Sequence, residues 1–383
     1  MQNPIYLDYN ATTPCDPRVM EEMLPYFTSQ FGNAASRTHA YGWVAEEAVA
    51  IGRERVARLI GSDPSELIFT SGATEAVNLA LRGVYETYQS KGHHIITYQT
   101  EHKAVLDTCA YLEKQGAVVT YLPVDENGLP DPSLLEKSIQ ADTILIAAMY
   151  ANNETGVLFP IKELAAIAKK TGVLFFSDAT QAVGKVPVEV LKDDIDLLAL
   201  SAHKLYGPKG VGALYVRRKN PRVKLSPLLY GGGHEKGLRS GTLNVPGIVG
   251  LGKACDICLS DMQTDQTRIE QLRDQLLNGL LQLGCTTLNG DKNFLLPHVV
   301  NVSFDFPGAA QLIGQLSKHI AVSSGSACTS ASAEPSHVLK AMGLKDELAI
   351  GSIRFSLGRF TTEEEITIAL NKIKQVVRDM QPV

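Results

Sequence analysis
From residue 67 to about residue 216, short apolar runs alternate with segments of helical period. Runs rich in β-branched and aromatic residues at Leu67–Thr70, His94–Tyr98, Val118–Leu122, Thr143–Ala147, Val173–Ser177, Asp196–Leu200 and Gly212–Val216 read as strands. Between most of them, apolar positions recur at helical spacing over Glu75–Val84, Lys103–Gln115 and Ile161–Lys170, the last ending just before Gly172. Several strands are apolar without interruption, as in a sheet covered on both faces. The pattern predicts an α/β fold with a large, mostly parallel sheet.

Beyond a Gly-rich stretch from Gly231 to Gly241 the pattern changes. Two long helical segments over about 247–284 precede strands near Val299–Phe304, Ala321–Ser324 and Ser352–Ser356, which reads as a smaller α+β domain. The expected organisation has three parts. An N-terminal segment (1–15) joins the small domain or the domain boundary, a large α/β domain covers 16–250, and a small C-terminal domain covers 251–383. A chain of 383 residues, at roughly 150 per domain, agrees with two domains.

Composition narrows the function classes. The chain is 44% apolar and 20% charged, as in an ordinary globular protein. Its 36 basic and 41 acidic side chains give a net charge of −5, so no basic footprint for nucleic acid is expected. No apolar run reaches the ~20 residues of a membrane span, and the start of the chain lacks the basic and apolar regions of a signal peptide. Six scattered cysteines do not resemble a disulfide framework, which favours a reducing cytoplasm. Cys255 and Cys258 have CxxC spacing, but they lie in a helix-like stretch without a second ligand pair and read as packing residues.

In open α/β sheets, ligands sit outside the carboxyl ends of the strands. Ser71-Gly-Ala-Thr-Glu75 follows the first strand and leads into a helix, where free backbone N–H groups suit a phosphate or a plain N-cap. Asp178 follows an apolar strand, and Lys204 follows another within Ser201-Ala-His-Lys204. The chain has neither the Gly-rich dinucleotide motif nor a P-loop. A phosphate cradle, a carboxylate and a lysine at one sheet edge are what a pyridoxal phosphate site requires. The phosphate anchors the ring, the lysine forms the Schiff base, and the carboxylate pairs with the pyridinium nitrogen.

The sequence also resembles the cysteine desulfurases of the class V, fold-type I pyridoxal phosphate enzymes, especially the housekeeping type that supplies sulfur for iron–sulfur clusters. The resemblance runs from Tyr6–Pro14 to Ser352–Phe360. It is carried by Ser71–Glu75, Thr100-Glu-His102, Asn152-Asn-Glu154, Asp178-Ala-Thr-Gln181, Ser201–Lys204, Arg239-Ser-Gly-Thr242 and Ser323–Ser332. It implies that Lys204 is the Schiff-base lysine, Asp178 the pyridinium partner, His102 a catalytic residue that stacks on the ring and assists proton transfer, and Gln181 the partner of the ring's phenolic oxygen. Ala73, Thr74, Ser201 and His203 would hold the phosphate, joined by Thr242 from the second subunit of a homodimer. Asn153 and Arg354 would grip the carboxylate of L-cysteine, and Cys328 would accept its sulfur. No intrinsic metal is implied, although Cys328 would be able to ligate a cluster transiently on a scaffold partner.

Cys328 also stands out by its surroundings. Gly325–Glu334 contains no large apolar residue to pin it to a core, unlike a buried structural cysteine. About five residues on either side at ~3.3 Å each would let the thiol swing on the order of 15 Å, from substrate to an external acceptor. Two departures from the family stand in the chain. Asn244 replaces a proline common among relatives, and the sequence stops at Val383, short of the tail with which close relatives dock the cluster scaffold. The first is expected to change little; the second leaves docking in the familiar manner open. Selenocysteine lyase or another class V activity is the alternative enzyme reading. A non-catalytic cofactor-binding or scaffold protein is the alternative outside enzymes, and Lys204 with Asp178 speaks against it.

Overall fold
The structure, a computed structural model, describes residues 4–324 and 334–381. The strands are β1 (Ile5–Tyr6), β2 (Leu67–Thr70), β3 (His94–Tyr98), β4 (Val118–Leu122), β5 (Thr143–Ala147), β6 (Leu174–Asp178), β7 (Leu197–Ser201), β8 (Gly212–Val216), β9 (Thr286–Leu288), β10 (Val299–Phe304), β11 (Ile320–Ala321) and β12 (Ser352–Ser356). The longer helices among the described residues are α1 (Ala40–Ile60), α2 (Ala73–Tyr88), α3 (Lys103–Glu113), α4 (Ile161–Thr171), α5 (Val245–Leu281) and α6 (Glu363–Met380).

Seven strands form the large sheet in the order β2-β8-β7-β6-β5-β3-β4. Only β8 runs antiparallel to its neighbours, so the expected mostly parallel sheet is present. The uninterrupted apolar runs follow from burial on both faces. Leu198, Phe175 and Ile146 face one core, shared with α1 and α4, whereas Leu197, Phe176 and Leu145 face the other, shared with α2 and α3.

β6 and β7 each begin one residue later than the apolar pattern predicts. As a result Asp178 and Ser201 are the last strand residues rather than the first loop residues, and the ladder fixes both.

The two helical segments expected over 247–284 are one helix, α5, of 37 residues. Its first half (Ile248 to Cys258) packs in the large core, and its second half (Ile269 to Leu280) packs against the antiparallel β12-β10-β9 sheet together with α6. Residue 250 lies inside this helix. Cys255 and Cys258 are fully buried in the large core, and no group of metal-ligating side chains occurs among the described residues. α6 starts at a capping box in which Thr362 and Glu365 satisfy each other's backbone N–H groups.

The N-terminal segment ties the sheets together. β1 pairs in parallel with β11, and Asp8 bridges to Ser356 on β12. Among the described residues, no helix is long and apolar enough to cross a membrane.

Candidate active site
A cavity of about 520 Å³ opens where β2, β5, β6 and β7 end and β8 begins. Its lining includes Ala73, Thr74, His102, Asn153, Asp178, Gln181, Ser201, His203, Lys204 and Arg354, ten residues singled out in the sequence. Thr242 is exposed and stands outside the cavity lining of its own chain, and Cys328 lies outside the described residues. A larger hollow of about 820 Å³ lies at the opposite sheet edge. Four of its charged side chains are already paired, Lys169 with Asp194 at 2.7 Å and Arg217 with Asp196 at 3.1 Å.

A corner suited to an anion is built from the backbone. Gly72 caps α2 without a side-chain hydrogen bond, so the first N–H groups of the helix remain available at its positive end. Close packing sets this corner: a Cβ on Gly212 would lie 2.5 Å from the Leu200 carbonyl and 2.8 Å from Gly72 Cα. Glu75, in the same first turn, is neutralised by Arg239 at 2.8 Å. Burial works against its ionisation, but hydrogen bonds from Arg239 and the Ser71 N–H hold its carboxyl below the usual range.

Lys204 donates to the carbonyl oxygens of Asn10 and Ala11, the latter at 2.8 Å. His203 Nδ1 lies 3.1 Å from Thr12 Oγ1. Burial and then the adjacent Lys204 push His203 down to about 4. Two residues beyond Lys204, Tyr206 has a left-handed φ of 65°, which a side chain seldom adopts. It is held by Arg359 stacked 4.4 Å above its ring and by the Arg359 N–H donated to its hydroxyl at 2.6 Å.

Asp178 accepts the Thr180 N–H at 3.0 Å. His102 caps α3 by accepting the Ala104 N–H at Nδ1, which leaves Nε2 to carry the proton of the neutral ring. Arg354 is 1% exposed, bonded to Asp8 and to the Asn153 carbonyl, with its Nε unpartnered. A cation with an orphan donor beside a cavity suits a carboxylate ligand.

Several residues of this site were not legible as such. Asn10 (1% exposed) donates to the Asn153 carbonyl at 3.0 Å and accepts at its own carbonyl from Gln181 Nε2 at 3.0 Å and from Lys204. Its Oδ1 accepts from His298 Nε2 at 2.9 Å. Burial, then Lys185 and other nearby cations, holds His298 well below its ordinary value and therefore neutral. Glu101 is wholly buried, with one oxygen accepting the Met149 N–H at 2.5 Å and the other unpartnered. Burial, and then Asp178, raises its carboxyl well above the usual range.

The parts fit pyridoxal phosphate. The uncapped start of α2 offers donors to a phosphate, Lys204 an amine, Asp178 a carboxylate, and the orphaned Oγ1 of Thr180 a further polar contact at the same cavity.

The Aminotransferase class-V model matches residues 5–368. Proteins named cysteine desulfurase IscS from Anaeromyxobacter dehalogenans and Edwardsiella ictaluri are each 53% identical to the chain, covering 100% of it and 94% and 96% of their own lengths. A NifS-like protein of known structure superposes with a TM-score of 0.92 at 40% identity, over 98% of this chain and 100% of its own. A structure described as SspA in complex with cysteine gives a TM-score of 0.83 at 36% identity, over 94% of this chain and 100% of its own. The chain belongs to the class-V aminotransferase family of pyridoxal phosphate enzymes and, within it, to the cysteine desulfurases.

Proposed function
We propose that this protein converts L-cysteine to L-alanine, takes the sulfur as a persulfide on Cys328, and delivers it to an acceptor protein such as an iron–sulfur scaffold. The reading is carried by the meeting of Lys204, Asp178 and the uncapped start of α2 around one cavity. Pyridoxal phosphate, when bound, supplies a sink for the electron pair released at the substrate Cα. Asp178 keeps the ring nitrogen protonated, and His102 covers the ring. Ala73, Thr74, Ser201 and His203 hold the phosphate. Arg354 and Asn153 orient the substrate carboxylate so that its Cα proton faces the Lys204 amine.

The Cys328 thiolate then attacks the substrate sulfur. An S–S bond forms, the C–S bond breaks with its electron pair left toward Cβ, and alanine is completed by a proton at Cβ and by return of the proton that Lys204 took from Cα. The two described flanks of the Cys328 segment support this role. On one side, Ser323 exchanges backbone hydrogen bonds with Arg354 (2.7 and 3.3 Å). On the other, His337 Nε2 donates to the Glu101 carbonyl at 3.0 Å, and Ser336 donates to Glu154. The five other cysteines are half-buried or buried, and burial raises each thiol above its ordinary value, which disfavours the nucleophilic thiolate.

The working form is a homodimer in the cytoplasm, with Thr242 completing the neighbour's phosphate site. Phe31, Tyr41 and Trp43 are more than half exposed, and the Phe31 ring packs at a tilt against Tyr41, leaving an apolar face for a second copy to cover. Incubation of the holoenzyme with L-cysteine tests the reaction. Equal amounts of alanine and reductant-released sulfide are expected, whereas pyruvate with free sulfide would contradict it.

A further inference from the structure
Gln181 and Lys185 lie four residues apart in the helical turn that follows β6, where the Val183 N–H bonds to the Ala179 carbonyl and the Lys185 N–H to the Ala182 carbonyl. The turn places both side chains on one side. Gln181 is 5% exposed and lines the cavity. Its amide meets opposite partners at its two ends. Nε2 donates to the Asn10 carbonyl at 3.0 Å, and Oε1 accepts from Lys185 Nζ at 3.2 Å.

A flipped amide would set its oxygen against the Asn10 carbonyl and its NH₂ against the lysine amine, two mismatched contacts in place of two hydrogen bonds. Lys185 stands behind Gln181, in a narrow cleft with Tyr206, His298 and Leu357. We propose that Lys185 is a positioning residue, a second lysine of the active site that locks the Gln181 amide with its N–H groups toward the cavity. The inference rests on the reading that Gln181 faces the phenolic oxygen of the cofactor ring, and it adds the reason why that amide can only donate. Lys204, Arg354, Cys258, His203 and His298 are the titratable groups whose charges act on this lysine or feel it. Burial, and then the Lys204 charge, brings Lys185 down to about 7. An amine presents N–H to Gln181 Oε1 in either protonation state.

Loss of the lock lets the amide carbonyl turn toward the phenolic oxygen, which then holds its proton to higher pH. Loss of the Lys185 charge acts on the ring as well, but independently of Gln181. A double-mutant cycle separates the two. The readout is the pH midpoint of the visible absorption change of the pyridoxal phosphate form, measured for Lys185→Met, Gln181→Leu and the double variant.

Each single change is expected to raise the midpoint by about 0.4–1 pH unit, the worth of one hydrogen bond, and the double change no further than the larger single one. Lys185→Arg, which keeps a donor, should return the midpoint toward wild type, and it serves if the methionine variant fails to fold. Strictly additive shifts overturn the role of Lys185 while leaving that of Gln181 intact. A Gln181→Leu midpoint equal to wild type overturns both.

Discussion

Arg354, buried in β12, donates to Asp8 Oδ1 at 2.7 Å and to the Asn153 carbonyl at 2.8 Å, so the start of the chain holds the cation proposed to bind the substrate carboxylate. Lysine cannot keep the Asp8 and Asn153 contacts and present a fork to a carboxylate at once. Arg354→Lys should therefore raise the KM for L-cysteine by roughly 10- to 100-fold, the worth of a charge-assisted hydrogen bond, with cofactor affinity unchanged. Steady-state kinetics and cofactor titration check both halves.

Glu101 makes the opposite kind of prediction, because its carboxyl is raised and stays neutral in the folded protein. Below its ordinary value of 4.5, both the folded and the unfolded chain hold this proton, and the stability it contributes is fully present. As pH rises from there through the folded value, only the folded chain keeps the proton. Wild type should thus lose about 1.4 kcal/mol per pH unit relative to Glu101→Gln over that window. Denaturant melts of both proteins from pH 4.5 to 8 measure the difference. Parallel pH profiles would mean that Glu101 is ionised.

Gly212 supports the uncapped start of α2, the proposed phosphate corner, by its lack of a side chain. In Gly212→Ala the new methyl meets the Leu200 carbonyl and Gly72 Cα, and both lie in rigid backbone. The expected cost is about 1–3 kcal/mol of stability, with weaker binding of pyridoxal phosphate because the displaced atom belongs to the helix cap. Calorimetry and cofactor titration on one sample test the pair.

Much of this site could be read in the sequence because strand ends are local features. Asp178, Ser201 and Lys204 each follow an apolar run, and the small residues after Leu67–Thr70 announce a helix start. Asn10 could not be found that way. Its partners Asn153, Gln181, Lys204, His298 and Ser356 are distant in the chain, and nothing in the spacing of a polar N-terminal segment reveals them. The same holds for β1, whose two residues pair with β11 more than 300 positions away. The continuity of α5 was hidden because its buried face passes from one core to the other, interrupting the apolar period.

Thr242 follows Arg239, which is fixed to Glu75 beside the phosphate corner, yet it is exposed on its own chain. If it completes the neighbour's site, Thr242→Ala should weaken cofactor binding by about 1 kcal/mol, or several-fold, without altering the molecular mass measured by light scattering. A fully active monomer would contradict the shared site.

The central claim is that sulfur passes through Cys328, and the most direct measurement is the mass of the peptide carrying Cys328 after L-cysteine treatment, read beside alanine release. Wild type should gain one sulfur atom there, removable by a thiol reductant, and produce alanine. Cys328→Ala should bind pyridoxal phosphate and L-cysteine normally but release almost no alanine. Alanine formation by Cys328→Ala at the wild-type rate, or added sulfur on another cysteine, would contradict the account.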